Sequence, residues 1–208
     1  SPVLTNGFVH DSKTGFLSSE ENTARLFDCE ASNNERGFSV FWDGGKKNAP
    51  KNEISGGFFR ENEVNGITSY GLSEITISKA TVSGNKNGIV SFESSVIHAK
   101  NCTVEKNKNV GGAASDSSSF NSTDCSFSKN DDTGFFVTAD ASATLENCTI
   151  NKNLNVGVSS SENGRLTLQK CKIKSNKDKN LVLNSEKEAK ITELKTNLWT
   201  KFLMWWNE

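Results

Sequence analysis

The chain repeats itself every 23 residues. Cys102, Cys125, Cys148 and Cys171 are spaced at that interval, and Asn107, Asn130, Asn153 and Asn176 keep it. Gly88, Gly111, Gly134 and Gly157 follow the same beat, with Asn180 next in line. An apolar residue sits two after each cysteine (Val104, Phe127, Ile150, Ile173), and others follow most of the glycines (Ile89, Phe135, Val158, then Leu181 after Asn180). A period of this length marks a stacked repeat, so it constrains the fold before any local propensity does. Upstream, Ala80/Val82/Asn85/Gly88, Gly57/Phe59/Asn62/Gly66 and Cys29/Ala31/Asn34/Gly37 fit the unit. Asn6/Phe8/Asp11/Gly15 gives a truncated first coil. Downstream, Ala189, Ile191 and Leu194 fall at the next expected apolar positions.

The apolar segments alternate over only three residues, as in Ile97/Ala99 and Cys102/Val104. Alternation means a strand with one buried face. Three such strands per unit describe one triangular coil, and stacked coils make a parallel β-helix. About eight coils at roughly 4.8 Å each give a rod about 38 Å long. Only 34% of the residues are hydrophobic, which is low for a globular core. Asparagine at an inward turn can instead satisfy backbone groups of the coils above and below. The glycine four residues on is expected to supply a positive φ at the next corner.

The cysteines share one inward column, where stacked parallel neighbours are poorly placed for disulfides. All five are expected to be free thiols, which points to a cytoplasmic, reducing compartment. Three sequons, at Asn101, Asn121 and Asn147, point instead to a secreted or surface location, so the compartment stays open. The net charge of −1 gives no electrostatic reason for a nucleic-acid partner. No apolar run is long enough to span a membrane. After Ser185 the pattern changes, and Leu194, Leu198, Phe202 and Trp205 or Trp206 recur at helical spacing. The expected layout is a β-helix over 1–194 and an amphipathic capping helix over 195–208.

The tandem wording C-x-Φ-x-x-N-x-x-x-G-Φ resembles the right-handed β-helix repeats of the pectate-lyase-like superfamily. It is most similar to the short-repeat branch in carbohydrate-binding and sugar-hydrolase domains and in F-box and SHC-binding proteins. The resemblance covers about residues 6–194 and implies right-handed winding. Enzymes of the superfamily cut or epimerise acidic polysaccharides, while other members only recognise proteins or glycans. The Asp-Pro-His signature of the epimerase-like members is missing, since the only prolines are Pro2 and Pro50. Lyases of this fold use carboxylates for Ca²⁺ and a Lys or Arg as base. Asp116, Asp124, Asp131, Asp132 and Asp140, with the Lys106/Lys129/Lys152 column, are the residues to weigh for that chemistry. The acids do not share a column with the lysines. His10 and His98 are expected on the surface. No catalytic set, cofactor or metal site is assigned.

The outward side of the strand after each glycine is more informative. Phe41, Tyr70 and Phe92 fall at one outward position on successive coils, and Val90 and Phe136 at another. Large apolar groups on an outer face need a reason. Phe41 opens an insertion, residues 41–53, which carries Trp42, Lys46 and Lys47. Loops inserted into solenoids often serve binding. Phe41, Trp42, Lys46, Lys47, Tyr70, Phe92 and Phe136 are therefore the candidate binding set. The expected function is non-catalytic recognition of a protein. Recognition of or action on a carbohydrate, and a structural spacer, are the alternatives. The open first coil is a second candidate contact, for self-association.

Overall fold

The computed structural model describes residues 2–20, 22–44, 49–184 and 190–194. All regular structure among them is β-strand. Twenty-five strands form three parallel sheets of nine, eight and eight strands. Sheet 1 runs from Val3–Thr5 to Lys190–Leu194, sheet 2 from Phe8–His10 to Lys172–Lys174, and sheet 3 from Thr14–Ser19 to Lys179–Asn184. Each strand pairs with the strand three elements away in sequence, so the chain visits sheets 1, 2 and 3 in turn and climbs one coil per circuit. This is a parallel β-solenoid with coils of about 23 residues. The proposed capping helix, residues 195–208, lies outside the described residues.

Registry converts the repeat into columns. In sheet 2, Ala31, Phe59, Val82, Val104, Phe127 and Ile150 stack directly and are fully buried. In sheet 1, Ile75, Ile97, Phe120, Ala143 and Leu166 do the same. Volumes are traded between columns. Phe120, Phe127 and Phe135 meet edge to face with centroids 5.0–6.5 Å apart. Gly112 makes room for them, because a Cβ there would lie 2.6 Å from the Phe135 ring.

The asparagine column is the polar spine. The Asn107 Oδ1 accepts from the backbone N–H and the Nδ2 of Asn85, both at 3.1 Å. Its Nδ2 donates to Asn130 Oδ1 at 3.0 Å and to the Val82 carbonyl at 3.4 Å. The carboxamide is thereby saturated, with two bonds donated and two accepted. The ladder runs through Asn34, Asn62, Asn85, Asn107, Asn130, Asn153 and Asn176. Asn180 ends it. This residue occupies the glycine column, and its Oδ1 accepts the Nδ2 of Asn176 at 3.0 Å in place of a carboxamide from a further coil.

The glycine expectation is overturned. None of Gly88, Gly111, Gly134 and Gly157 has positive φ. Their role is clearance: a Cβ on Gly134 would lie 2.6 Å from both Asn153 Nδ2 and the Gly157 carbonyl. The left-handed positions are elsewhere, at the corners, with two of them, Gly56 and Gly57, at a single corner. They comprise 19 non-glycine residues, including Lys106, Lys129 and Lys152 immediately before ladder asparagines.

Both ends shift register. Val9, not Phe8, pairs with Ala31, and the Ser12 N–H, not Asp11, meets Asn34 Oδ1. Phe8 is 58% exposed. The left-handed corner at Asn6 starts the strand one residue later than the repeat implies. At the other end Leu166 pairs with Ile191 and Gln169 with Leu194. Leu194 therefore leaves the cysteine column, because the last circuit is two residues longer than the repeat.

Asn130→Ala removes the acceptor of two Asn107 donors and one donor to Asn153. We expect a loss of about 3 kcal/mol or more in urea unfolding followed by circular dichroism. Gly134→Ala is expected to lose about 2 kcal/mol through overpacking. The exposed control Lys108→Ala should stay within about 0.5 kcal/mol. Equal losses in all three would contradict a ladder-based spine.

Candidate binding face

The strand Arg36–Trp42 alternates, with Phe38 and Val40 in the core and Ser39 and Phe41 on the other side. Phe41 is in register with Tyr70, and the Phe92 N–H bonds the Ser69 carbonyl one coil below. The three rings thus form a column on the outer face of sheet 3. Tyr70 and Phe92 stack at 5.2 Å with planes 12° apart. Phe41 is 42% exposed, and Tyr70, Phe92 and Phe136 are half-buried. Rings this close cover one another's faces, so the column offers ring edges and the Tyr70 hydroxyl to solvent.

Trp42 of the expected binding set, and Val90 of the expected outward row, are both buried. Trp42 is only 7% exposed, outside the main core cluster. Val90 is also buried, although it shares the outer row with Thr68 and Ala113. Trp42 falls on the strand side shared with Phe38 and Val40, whereas Val90 is covered on the outer row by its neighbours. The inserted stretch proper is 43–50, because residues 41–42 and 51–53 belong to strands. Lys46 and Lys47 lie outside the described residues.

Sequence reasoning missed what lies between the rings and the near edge of the sheet. Ser39 and Thr68 form the floor there, in register with each other and buried. The Ser39 Oγ, the Thr68 Oγ1 and the Trp42 Nε1 are buried without hydrogen-bond partners. Among the described residues these are the buried side-chain polar atoms in that condition, and they all belong to two adjoining coils. A buried unpaired polar atom costs about 1–3 kcal/mol, so their concentration needs an explanation. At the edge of the floor runs a second amide ladder. Asn87 donates to Asn65 at 2.9 Å and Asn109 to Asn87 at 3.0 Å. Its signal was present in the recurrence of Asn two residues after Asn85 and Asn107.

The lyase-like residues do not converge. Asp124 sits at the corner between sheets 1 and 2, Asp131 and Asp132 between sheets 2 and 3, and Asp116 and Asp140 between sheets 3 and 1. Lys129 and Lys106 pair with Glu105 at 3.1 and 3.6 Å. Burial opposes the Glu105 charge, but the two ammoniums hold its carboxyl below the usual range. No group of three or more His, Cys, Asp and Glu among the described residues is arranged to hold a metal ion. His98 is half-buried on the outer side between buried Ile97 and Ala99.

Four of the five cysteines are buried and Cys171 is half-buried. The hydrogen bond between Cys102 and Cys125 pushes the Cys102 thiol up, and burial adds to it. Cys148 is likewise raised by its bond with Cys171 and by burial.

The cysteine, asparagine and glycine columns match a known pattern. A family model described as the right-handed β-helix region matches residues 86–194. The chain belongs to that family. No curated protein and no solved structure matches it. Winding of this β-helix is accordingly right-handed, as its resemblance implied.

In the folded β-helix, half-buried Cys171 should react first with a thiol reagent, and the other four should wait for unfolding. Thiol counting with and without denaturant checks this. Rapid modification of all five thiols in the folded state would contradict the inward column.

Proposed function

We propose that this β-helix is a non-catalytic recognition module that binds a protein partner on the outer face of sheet 3, around Phe41, Tyr70 and Phe92. The observation that carries this reading is the pair of unpartnered hydroxyls beside the rings, Ser39 Oγ and Thr68 Oγ1, in register on adjoining coils. Elsewhere among the described residues the buried side-chain polar atoms are hydrogen-bonded, so a site that forgoes hydrogen bonds sacrifices stability for another purpose. A partner group reaching Thr68 Oγ1 or Ser39 Oγ would supply the missing bonds. Exposed aromatic edges beside them suit the anchor residues of a protein interface. The mutual stacking of Tyr70 and Phe92 disfavours a sugar ring, which needs an open aromatic face.

Two experiments test the reading. Tyr70→Ala/Phe92→Ala, shown by circular dichroism to remain folded, should lose a partner that the parent protein captures from lysate. Identical capture by both proteins would remove the face from the function. Thr68→Val replaces an unpaired hydroxyl by a methyl. It should raise stability by about 1 kcal/mol and weaken binding of the same partner. A variant that is more stable and binds as well would show that the hydroxyl is not used.

A further inference from the structure

The cysteine column has a uniform geometry. Each of the five sulfurs lies 3.3–3.5 Å from the carbonyl oxygen two residues before it. The side chains therefore share one orientation. Cys102, Cys125, Cys148 and Cys171 also stack directly, since the Ser126, Thr149 and Lys172 N–H groups bond the carbonyls of Cys102, Cys125 and Cys148. Their sulfurs accordingly repeat at the coil spacing of about 4.8 Å. Cys29 stands apart, because Gly57 and Ala80 fill the column on the next two coils. Thiolates bond d10 metal ions at about 2.3 Å, so two such bonds in line span about 4.6 Å. The fold thus spaces consecutive sulfurs for one ion between them. We propose that the pairs Cys102/Cys125 and Cys148/Cys171 each hold a soft d10 cation of the Cu(I) type, bound in line by two thiolates.

Hydrogen bonds join Cys102 to Cys125 and Cys148 to Cys171, which sets the pairing. Ligand type sets the metal. Soft thiolates select Cu(I), whereas structural zinc requires four ligands in a tetrahedron. Among the described residues no group of three or more His, Cys, Asp and Glu is arranged to hold an ion, so a pair of sulfurs suits only an ion content with two. The Cys102/Cys125 pair is the better prepared. The Cys102 N–H donates to the Cys125 sulfur at 3.2 Å. The bond from the Cys102 thiol, aided by Ser122 and by that N–H, holds the Cys125 thiol down to about 7 against the effect of burial. A cleft of about 370 Å³ at the corner between sheets 1 and 2 is lined by both cysteines together with Asn101, Asp124 and Asn147. The Asp124 carboxylate draws a cation to that opening. Both cysteines are only 2% exposed, so a bare ion reaches them where a bulkier thiol reagent waits for unfolding. On binding, two sulfur–copper bonds form, each thiol still protonated gives its proton to solvent, and copper stays Cu(I).

The test is an anaerobic titration of the reduced, folded chain with Cu(I), in the presence of a copper chelator that strips weak sites. We expect one ion retained by each of the two pairs, a thiolate-to-copper absorption in the ultraviolet, and a shell of two sulfurs by X-ray absorption. Cys125→Ala should halve the copper retained, and Cys125→Ala/Cys148→Ala should abolish retention. Cys29→Ala should leave the copper content unchanged, because that thiol has no neighbour in the column. Alanine is the replacement of choice since Ala80 already occupies this column, and circular dichroism should show every variant folded. Zn(II) offered in place of Cu(I) should be lost on dialysis. A parent protein that retains no copper, a double variant that retains as much as the parent, a loss with Cys29→Ala, or a shell of more than two sulfurs would each overturn the proposal.

Discussion

The buried carboxamide of the ladder asparagine is the constraint on which the remaining structure depends. It bonds the coil below through its oxygen and through one amide proton, and the coil above through the other. That single group fixes the height of each coil relative to two others. It also explains its neighbours. Glycine stands beside it because a Cβ would strike the amide nitrogen of the next coil. A left-handed residue precedes it because the chain must turn sharply to aim the side chain inward. The core can then be thin. Each coil contributes only a few apolar side chains, and direct stacking of like residues replaces the interlocking of a globular interior.

Much of this was legible in the residues. A strict interval between cysteines, asparagines and glycines gave the coil, and three-residue alternation gave the three strands. What was not legible has a common cause: the period says which residues stack, not what they touch. The glycines were credited with a backbone conformation, whereas the structure shows a steric requirement from the adjoining coil. The first and last circuits depart from the period by one and two residues, and only pairing reveals which strand positions absorb the change. The outer faces were partly readable. Alternation placed Phe41, Tyr70 and Phe92 on the outer side and, carried on from Phe38 and Val40, puts Trp42 on the inner one, yet burial of Val90 depends on the height of neighbouring side chains, which alternation does not encode. The buried serines near the corner between sheets 3 and 1, such as Ser69 bonded to Ser73 at 2.7 Å, do recur from coil to coil, but their partners vary and the period does not give them.

Two regimes of polar chemistry coexist in one sheet stack. Along the spine every amide is matched, and the match repeats so regularly that a single substitution affects three coils. Near Ser39, Thr68 and Trp42 the matching stops. The contrast is informative because both regions share backbone geometry and coil height.

The closing of the ladder by Asn180 bears on how long such a rod can be. Every earlier asparagine waits on a carboxamide from the following coil, so the stack by itself carries no instruction to end. Asn180 supplies that acceptor from within the same coil and makes the array finite. Rod length is thereby separated from coil sequence. Whole coils inserted ahead of Asn153 would lengthen the rod by about 4.8 Å apiece while the terminator went on working unchanged. Evolution by duplication of units needs just such a movable full stop.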